Sequence, residues 1–71
     1  MRVGQEIYVN DAIGNVVILD IKEDYLILCR LGNGTFIKAK DYFMENDKLS
    51  WEHGEYYWSF DKLIEAINKI K

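Results

Sequence analysis

The sequence predicts an α+β fold that is mostly β: a small antiparallel meander or barrel of five to six strands with one C-terminal helix. Short runs rich in β-branched residues alternate with turn signals along residues 1–58. After them, apolar residues recur at helical spacing. The 71 residues contain no proline, no Ser/Gly linker and no repeat, so we expect a single domain over residues 1–71.

Three strand candidates separated by polar loops occupy the first part of the chain. Residues 6–9 place Ile7 and Val9 on one face, as expected of a strand with one buried side. Residues 16–21 and 25–31 are apolar on both faces. This pattern indicates either burial on both sides or a strand that bends around a core.

Turn signals organise the middle of the chain. Residues 32–34 (Gly-Asn-Gly) predict a tight hairpin, because glycine adopts the positive φ that such turns need. Residues 35–39 then return as the next strand. Residues 41–44 are ambiguous, since they could extend that strand or make one helical turn, whereas residues 45–48 are typical of a turn.

The segment Leu49 to Trp58 predicts a final hairpin. His53-Gly54 has the composition of a two-residue turn with glycine at positive φ. The resulting register pairs Glu52 with Glu55, Trp51 with Tyr56, Ser50 with Tyr57 and Leu49 with Trp58. In this register Trp51 and Trp58 share one face, so we expect both rings to pack on the same side of the hairpin, near the helix.

The last segment, residues 60–71, predicts the helix. Its apolar stripe consists of Phe60, Leu63, Ile64, Ile67 and Ile70. We expect the first four of these side chains to be buried. Ser59 is a natural N-cap, because its hydroxyl can accept a hydrogen bond from an unpaired backbone N–H. A helix of this length is marginal alone in water, so it must dock on the sheet.

Closure of the meander into a small SH3-like barrel would hide the edges of the sheet. The opening VGQEIYVNDAIGNVVILDI, residues 3–21, resembles the first strands of small SH3-like domains of the Tudor or KOW kind. This resemblance covers under a third of the chain and rests on a glycine and alternating apolar residues. It implies an SH3-like fold and, because KOW-type modules generally act near nucleic acid, a role of that kind.

Composition limits the functional classes. A net charge of −3 gives no electrostatic reason to expect nucleic-acid binding, which usually goes with a basic surface. No apolar run approaches the roughly 20 residues that cross a bilayer, and the N-terminus lacks the apolar stretch of a secretory signal. One cysteine and one histidine supply neither a disulfide nor a structural metal site within the chain. We therefore expect a cytoplasmic protein that has no metal or cofactor and no contact with a membrane.

Residues that could take part in catalysis or metal binding lie in positions that are unfavourable for either role. His53 is expected at an exposed hairpin tip, where positioning is poor, so we interpret it as a turn residue. Cys29 lies mid-strand among apolar neighbours, which predicts an inert core thiol. Residues 41–52 have the length of an EF-hand loop with acids at both ends, but the sixth position is Asn46 where that loop needs glycine. We expect no calcium site there.

A binding surface is the remaining prediction. Walker, GxGxxG, HExxH, CxxC and GxSxG motifs are absent from the sequence, so it predicts no enzyme. Ten aromatic residues are more than a core of this size easily accommodates. We expect a protein-binding module or inhibitor with Tyr42, Phe43 and Tyr57 as its protein-binding residues, because aromatic side chains are enriched at interfaces. In the packing alternative, Tyr57 covers a second sheet face and the other two plug a barrel end.

Two kinds of partner follow from these features. The first is another protein, with the chain itself a monomer or a weak homo-oligomer. The alternative is a nucleic-acid-binding barrel that uses aromatic rings for stacking. Its phosphate contacts would come from Arg30, Lys38, Lys40 and Lys48. Nearby acids, among them Asp41, would repel phosphates, which makes nucleic acid the less favoured partner.

Overall fold

Five strands and one helix form over residues 1–69, the part of the chain that this computed structural model describes. The elements are β1 (Glu6–Asn10), β2 (Gly14–Ile21), β3 (Tyr25–Arg30), β4 (Phe36–Glu45), β5 (Lys48–Tyr57) and α1 (Phe60–Asn68). Each strand pairs antiparallel with its neighbours in sequence, in the order β1-β2-β3-β4-β5. The predicted antiparallel meander with a C-terminal helix is confirmed.

The inner face of the curled sheet forms the main core. It is built from alternate apolar residues of all five strands: Ile7, Val9, Val16, Ile18, Leu26, Leu28, Ile37, Ala39 and Leu49. β5 returns to contact β1, but within residues 1–69 these two strands share no hydrogen-bonded ladder. The sheet is therefore a curled antiparallel meander that is not closed by hydrogen bonds, a shape compatible with the expected SH3-like barrel.

The turns between strands use residues that tolerate positive φ. Gly34 closes the β3–β4 turn with a φ of 71°, as its sequence predicts. Asn46 and Asp47 form the β4–β5 turn with φ of 52° and 62°. Positive φ at both central residues is the signature of a type I′ turn, whose twist matches that of the flanking strands.

This turn shows that the predicted hairpin at His53-Gly54 is wrong. β5 runs without interruption from Lys48 to Tyr57, and the ladder with β4 pairs Lys40 with His53 and Phe36 with Tyr57. Gly54 is absent from the positive-φ residues of the described chain. It is a site of close approach instead: a Cβ there would lie 2.5 Å from Nε1 of Trp51.

The two tryptophans consequently separate. Trp51 is half-buried and packs against the barrel core, while Trp58 lies beyond the end of β5 and is 82% exposed. The expectation that both rings pack on one side of a hairpin is wrong, because no turn brings Leu49 and Trp58 together.

The β4–β5 hairpin bends sharply near Asp41. On β4 the core-facing positions are Ile37 and Ala39 before the bend and Tyr42 after it, so the alternation changes parity. Asp41 accomplishes this change with a φ of 54°, a left-handed conformation that aspartate tolerates better than most residues. Beyond this position, Tyr42 and Trp51 pack against the core, and Leu49 is part of it.

The helix docks on the outer surface of the sheet with Leu63 as its one fully buried side chain. Ser59 caps it as predicted, with its Oγ accepting a hydrogen bond of 3.3 Å from the backbone N–H of Lys62. Leu63 is fully buried, whereas Phe60 and Ile64 are exposed by 51% and 39%. Ile67 is half-buried. The expectation that all four side chains are buried is therefore wrong, because α1 contacts only β4 and β5. Ile70 lies outside the described residues.

Substitution of Leu63 tests this one-sided docking. Leu63→Ala should lower the free energy of unfolding by about 2–5 kcal/mol, because it leaves a cavity under the helix. Ile64→Ala is the matched control on the exposed side and should cost about 1 kcal/mol or less. Urea denaturation of both variants measures the difference. Equal losses would mean that the helix is held by its whole stripe.

Gly54 gives a second test. Gly54→Ala should destabilise the fold by about 1–3 kcal/mol, because the added Cβ collides with the indole of Trp51. Gly32→Ala is the control, since no atom lies within 4 Å of a Cβ at that position and its φ is not positive. Thermal unfolding followed by circular dichroism compares the two. An unchanged melting temperature for Gly54→Ala would contradict the close approach.

Candidate functional site

An apolar groove lies between α1 and the outer faces of β2 and β3. Its volume is about 460 Å³. The lining residues that give it its character are Leu19, Tyr25, Ile27, Phe60, Ile64 and Ile67. Asp20 and Lys22 supply polar groups on the β2 side and form a salt bridge of 3.1 Å with one another. An apolar floor with a charged rim is the usual anatomy of a protein interface.

The sequence builds this groove by giving β2 and β3 apolar residues on both faces. The barrel covers the inner faces, but α1 stands over β4 and β5 and leaves the outer faces of β2 and β3 partly open. An irregularity in the β2–β3 register between Ile18 and Asp20 leaves Leu19 without a ladder partner. Bulges of this kind re-aim side chains, and here Leu19 lines the groove.

Two exposed aromatic residues lie at the start of α1. Phe60 packs edge-on against Phe36, with ring centroids 5.6 Å apart and an interplanar angle of 65°. This contact holds the Phe60 ring in place while half of its surface stays exposed. Trp58 precedes the helix by two residues and is the most exposed large apolar side chain of residues 1–69.

A buried lysine contacts the ring of Tyr25, the β3 residue at the edge of the groove. Lys38 is only 4% exposed, and its Nζ lies 4.7 Å from the centre of the Tyr25 ring. A cation–π contact that is shielded from water is worth about 2 kcal/mol, so it orients the Tyr25 ring beside the groove.

The three predicted binding residues do not form one surface. Tyr42 is half-buried and packs on the barrel core, while Phe43, next to it on β4, is 44% exposed. Tyr57 pairs with Phe36 at the opposite end of the hairpin and lines a hollow beside α1 with Lys62. Its predicted partner Ser50 instead pairs with Phe43.

The basic residues of the nucleic-acid alternative are mostly engaged within the fold. Arg30 donates hydrogen bonds of 2.9 and 2.7 Å to the backbone carbonyls of Ile13 and Ala12, which ties down the β1–β2 loop. Lys38 is buried, and the Nζ of Lys48 lies 5.6 Å from the ring centre of Tyr8. These contacts disfavour a shared phosphate-binding surface.

His53 and Cys29 both lie in environments that differ from those expected. His53 sits inside β5 and not at a turn, with its Nε2 3.6 Å from Oδ2 of Asp41. Cys29 is half-buried, because it lies on the outer face of β3 and not in the barrel core. Within residues 1–69 neither residue has the buried, oriented partner that nucleophilic catalysis requires.

Sequence reasoning missed that Phe60 and Ile64 line an open groove and that Trp58, just before the helix, is exposed. One available signal could have found them: two adjacent strands, β2 and β3, are apolar on both faces and need two covering layers. A helix of nine residues is too short to cover them completely. Part of the outer faces of β2 and β3 must then stay uncovered.

Comparisons with protein-family models, with curated proteins and with solved structures found no match to this chain. Over residues 1–69, no helix is both long and apolar enough to cross a membrane. Function is therefore inferred from the geometry described above.

Titration of Tyr57 tests the packing of this residue beside the helix. Burial, followed by the hydrogen bond that its hydroxyl donates to Glu55, raises the pKa of Tyr57 to about 12. Neutral Tyr57 is therefore favoured by folding, so its contribution to stability is complete below about pH 10 and is lost as the pH rises towards 12. In Tyr57→Phe, the loss of stability over this pH range should be smaller. Chemical denaturation at pH 9, 10, 11 and 12 measures it, and identical profiles would contradict the burial.

Proposed function

We propose that this chain is a small non-catalytic protein-binding module that acts through the groove between α1 and the outer faces of β2 and β3. The observation that carries the proposal is the exposure of Phe60 and Ile64 along an unfilled apolar groove, with the exposed Trp58 two residues before the helix. Soluble domains rarely leave such apolar surface uncovered unless it is used. The partner is a protein that presents an apolar segment.

Rigid aromatic anchors support this proposal. Binding energy at interfaces concentrates in a few large side chains, above all Trp, Tyr and Arg. Phe60 is held by Phe36, and Tyr25 is held by Lys38, so little conformational freedom remains to be lost when a partner binds. The Asp20–Lys22 salt bridge adds a polar edge to the groove, which would orient a bound partner.

A second exposed apolar pair lies near the far end of β4. Phe43 and Met44 are adjacent on this strand and both are exposed. Phe43 is one of the residues that the sequence predicts as a protein-binding anchor, together with Tyr42 and Tyr57. We place the interface at the groove because the groove is concave, whereas Tyr42 and Tyr57 are half-buried by packing within the domain.

A cytoplasmic location, supported by the single free Cys29, is part of the proposal.

Substitution of Trp58 tests the proposal. Trp58→Ser should leave the melting temperature unchanged, because the ring is 82% exposed, and should weaken binding to a partner. Loss of a true anchor costs about 2 kcal/mol or more, which is roughly a thirtyfold weaker Kd. Partners are captured from lysate of the native host with the immobilised wild-type chain, identified by mass spectrometry, and their affinities for each variant are measured in purified form.

Phe43→Ser is the matched control, since it removes an exposed aromatic ring at the other end of the hairpin. If Phe43→Ser retains its affinity for the partner and Trp58→Ser loses it, the result supports an interface at the groove and the adjoining start of α1. The reverse result places the interface at the end of β4. If neither substitution changes the affinity for any captured protein, both surfaces are excluded and the proposal fails.

A further inference from the structure

Three potential metal ligands converge at the bend of the β4–β5 hairpin. One ligand atom from each of Asp41, Glu52 and His53 lies within 4.8 Å of the other two. The distance from Nε2 of His53 to Oδ2 of Asp41 is 3.6 Å. All three side chains are exposed, on the surface of the hairpin and away from the residues of the apolar groove.

The bend is what brings these side chains together. The pairs Lys40–His53 and Tyr42–Trp51 flank Asp41 and Glu52, so these two acids stand opposite one another. Glu52 and His53 are neighbours on one strand and would normally point to opposite faces. Their convergence requires local distortion of the ladder, and Asp41 supplies it through its φ of 54°.

We propose that Asp41, Glu52 and His53 form a binding site for a divalent transition-metal ion, with zinc as the ion that this ligand set fits. One imidazole nitrogen and two carboxylate oxygens are ligands that zinc takes readily, and water completes the coordination at an exposed site. Calcium and magnesium prefer all-oxygen sets, so the imidazole selects against both.

The separations suit such an ion after small rotations of the side chains. Two ligand atoms bound tetrahedrally to zinc at about 2.0–2.1 Å lie about 3.4 Å apart. The His53–Asp41 distance of 3.6 Å is already close to this value. The Glu52 ligand atom, which lies within 4.8 Å of the other two, reaches the ion by rotation of its exposed side chain.

The surrounding charges also favour a cation. A hollow of about 630 Å³ adjoins Asp41 and is lined by Glu23, Asp24, Lys40 and Tyr42 as well. The three carboxylates of this hollow outnumber its one ammonium group, and Glu52 adds a fourth carboxylate beside it. The negative potential of such a surface raises the local concentration of divalent cations.

The experiment uses the fact that His53 is the only histidine of the chain. Zinc chloride is titrated into the full chain at pH 7.5, and the resonances of the His53 ring are followed by NMR. We expect these resonances to shift with zinc at micromolar concentrations and to stay unchanged with equal magnesium or calcium. Zinc should also raise the melting temperature, since it binds the folded state.

Matched variants assign the ligands. Glu52→Gln and Asp41→Asn should each weaken zinc binding at least tenfold, and asparagine keeps the left-handed conformation of position 41 accessible. Asp47→Asn removes a charge in the same hairpin outside the cluster and should leave the affinity within twofold. Circular dichroism confirms that each variant is folded. His53→Gln should abolish the response of the melting temperature to zinc.

Several outcomes would overturn the proposal. Unchanged resonances of the His53 ring at millimolar zinc would mean that the cluster does not bind zinc and is only an exposed contact between His53 and Asp41. Equal affinity in Glu52→Gln and in the wild type would exclude the three-ligand site. Loss of binding in Cys29→Ser would place the zinc at the thiol.

Discussion

The bend of the β4–β5 hairpin at Asp41 is the constraint on which the rest of the fold depends. A straight hairpin of two ten-residue strands would extend well beyond the three shorter strands and leave Tyr42, Leu49 and Trp51 in solvent. The bend turns these side chains onto the barrel core and brings β5 against β1. The indole of Trp51 then lies over the backbone at Gly54, which closes the inside of the bend.

The same bend explains which features were predictable from the sequence and which were not. The strand pattern and the polar turns are local signals, and they predicted the meander, the Gly34 turn and the Ser59 cap correctly. The hairpin predicted at Gly54 was wrong because glycine occurs for two reasons: it adopts positive φ in a turn, and it allows close approach of a neighbouring side chain. The turn predicted at residues 45–48 is confirmed, with Asn46 and Asp47 at positive φ. The local sequence does not distinguish these two uses of glycine, because only the tertiary structure places the Trp51 indole beside Gly54.

The candidate groove was less predictable than the fold. An apolar stripe predicts that a helix docks, but it does not specify how many residues of the stripe become covered. That depends on where the helix stands over the sheet, and α1 stands over β4 and β5. Leu63 is buried there, while Phe60 and Ile64 face the space above β2 and β3. The convergence of Asp41 with His53 is likewise a property of the tertiary bend and has no counterpart in linear spacing.

The open seam between β1 and β5 gives the molecule a gradient of local stability. β3 has ladder partners on both sides, whereas β1 and β5 each have one, and their mutual contact adds no ladder. Separation of the seam therefore breaks side-chain contacts but few backbone hydrogen bonds, so it costs much less free energy than global unfolding. Amide hydrogens along the seam should exchange with solvent through such partial openings, while those of β3 exchange only when the whole barrel comes apart.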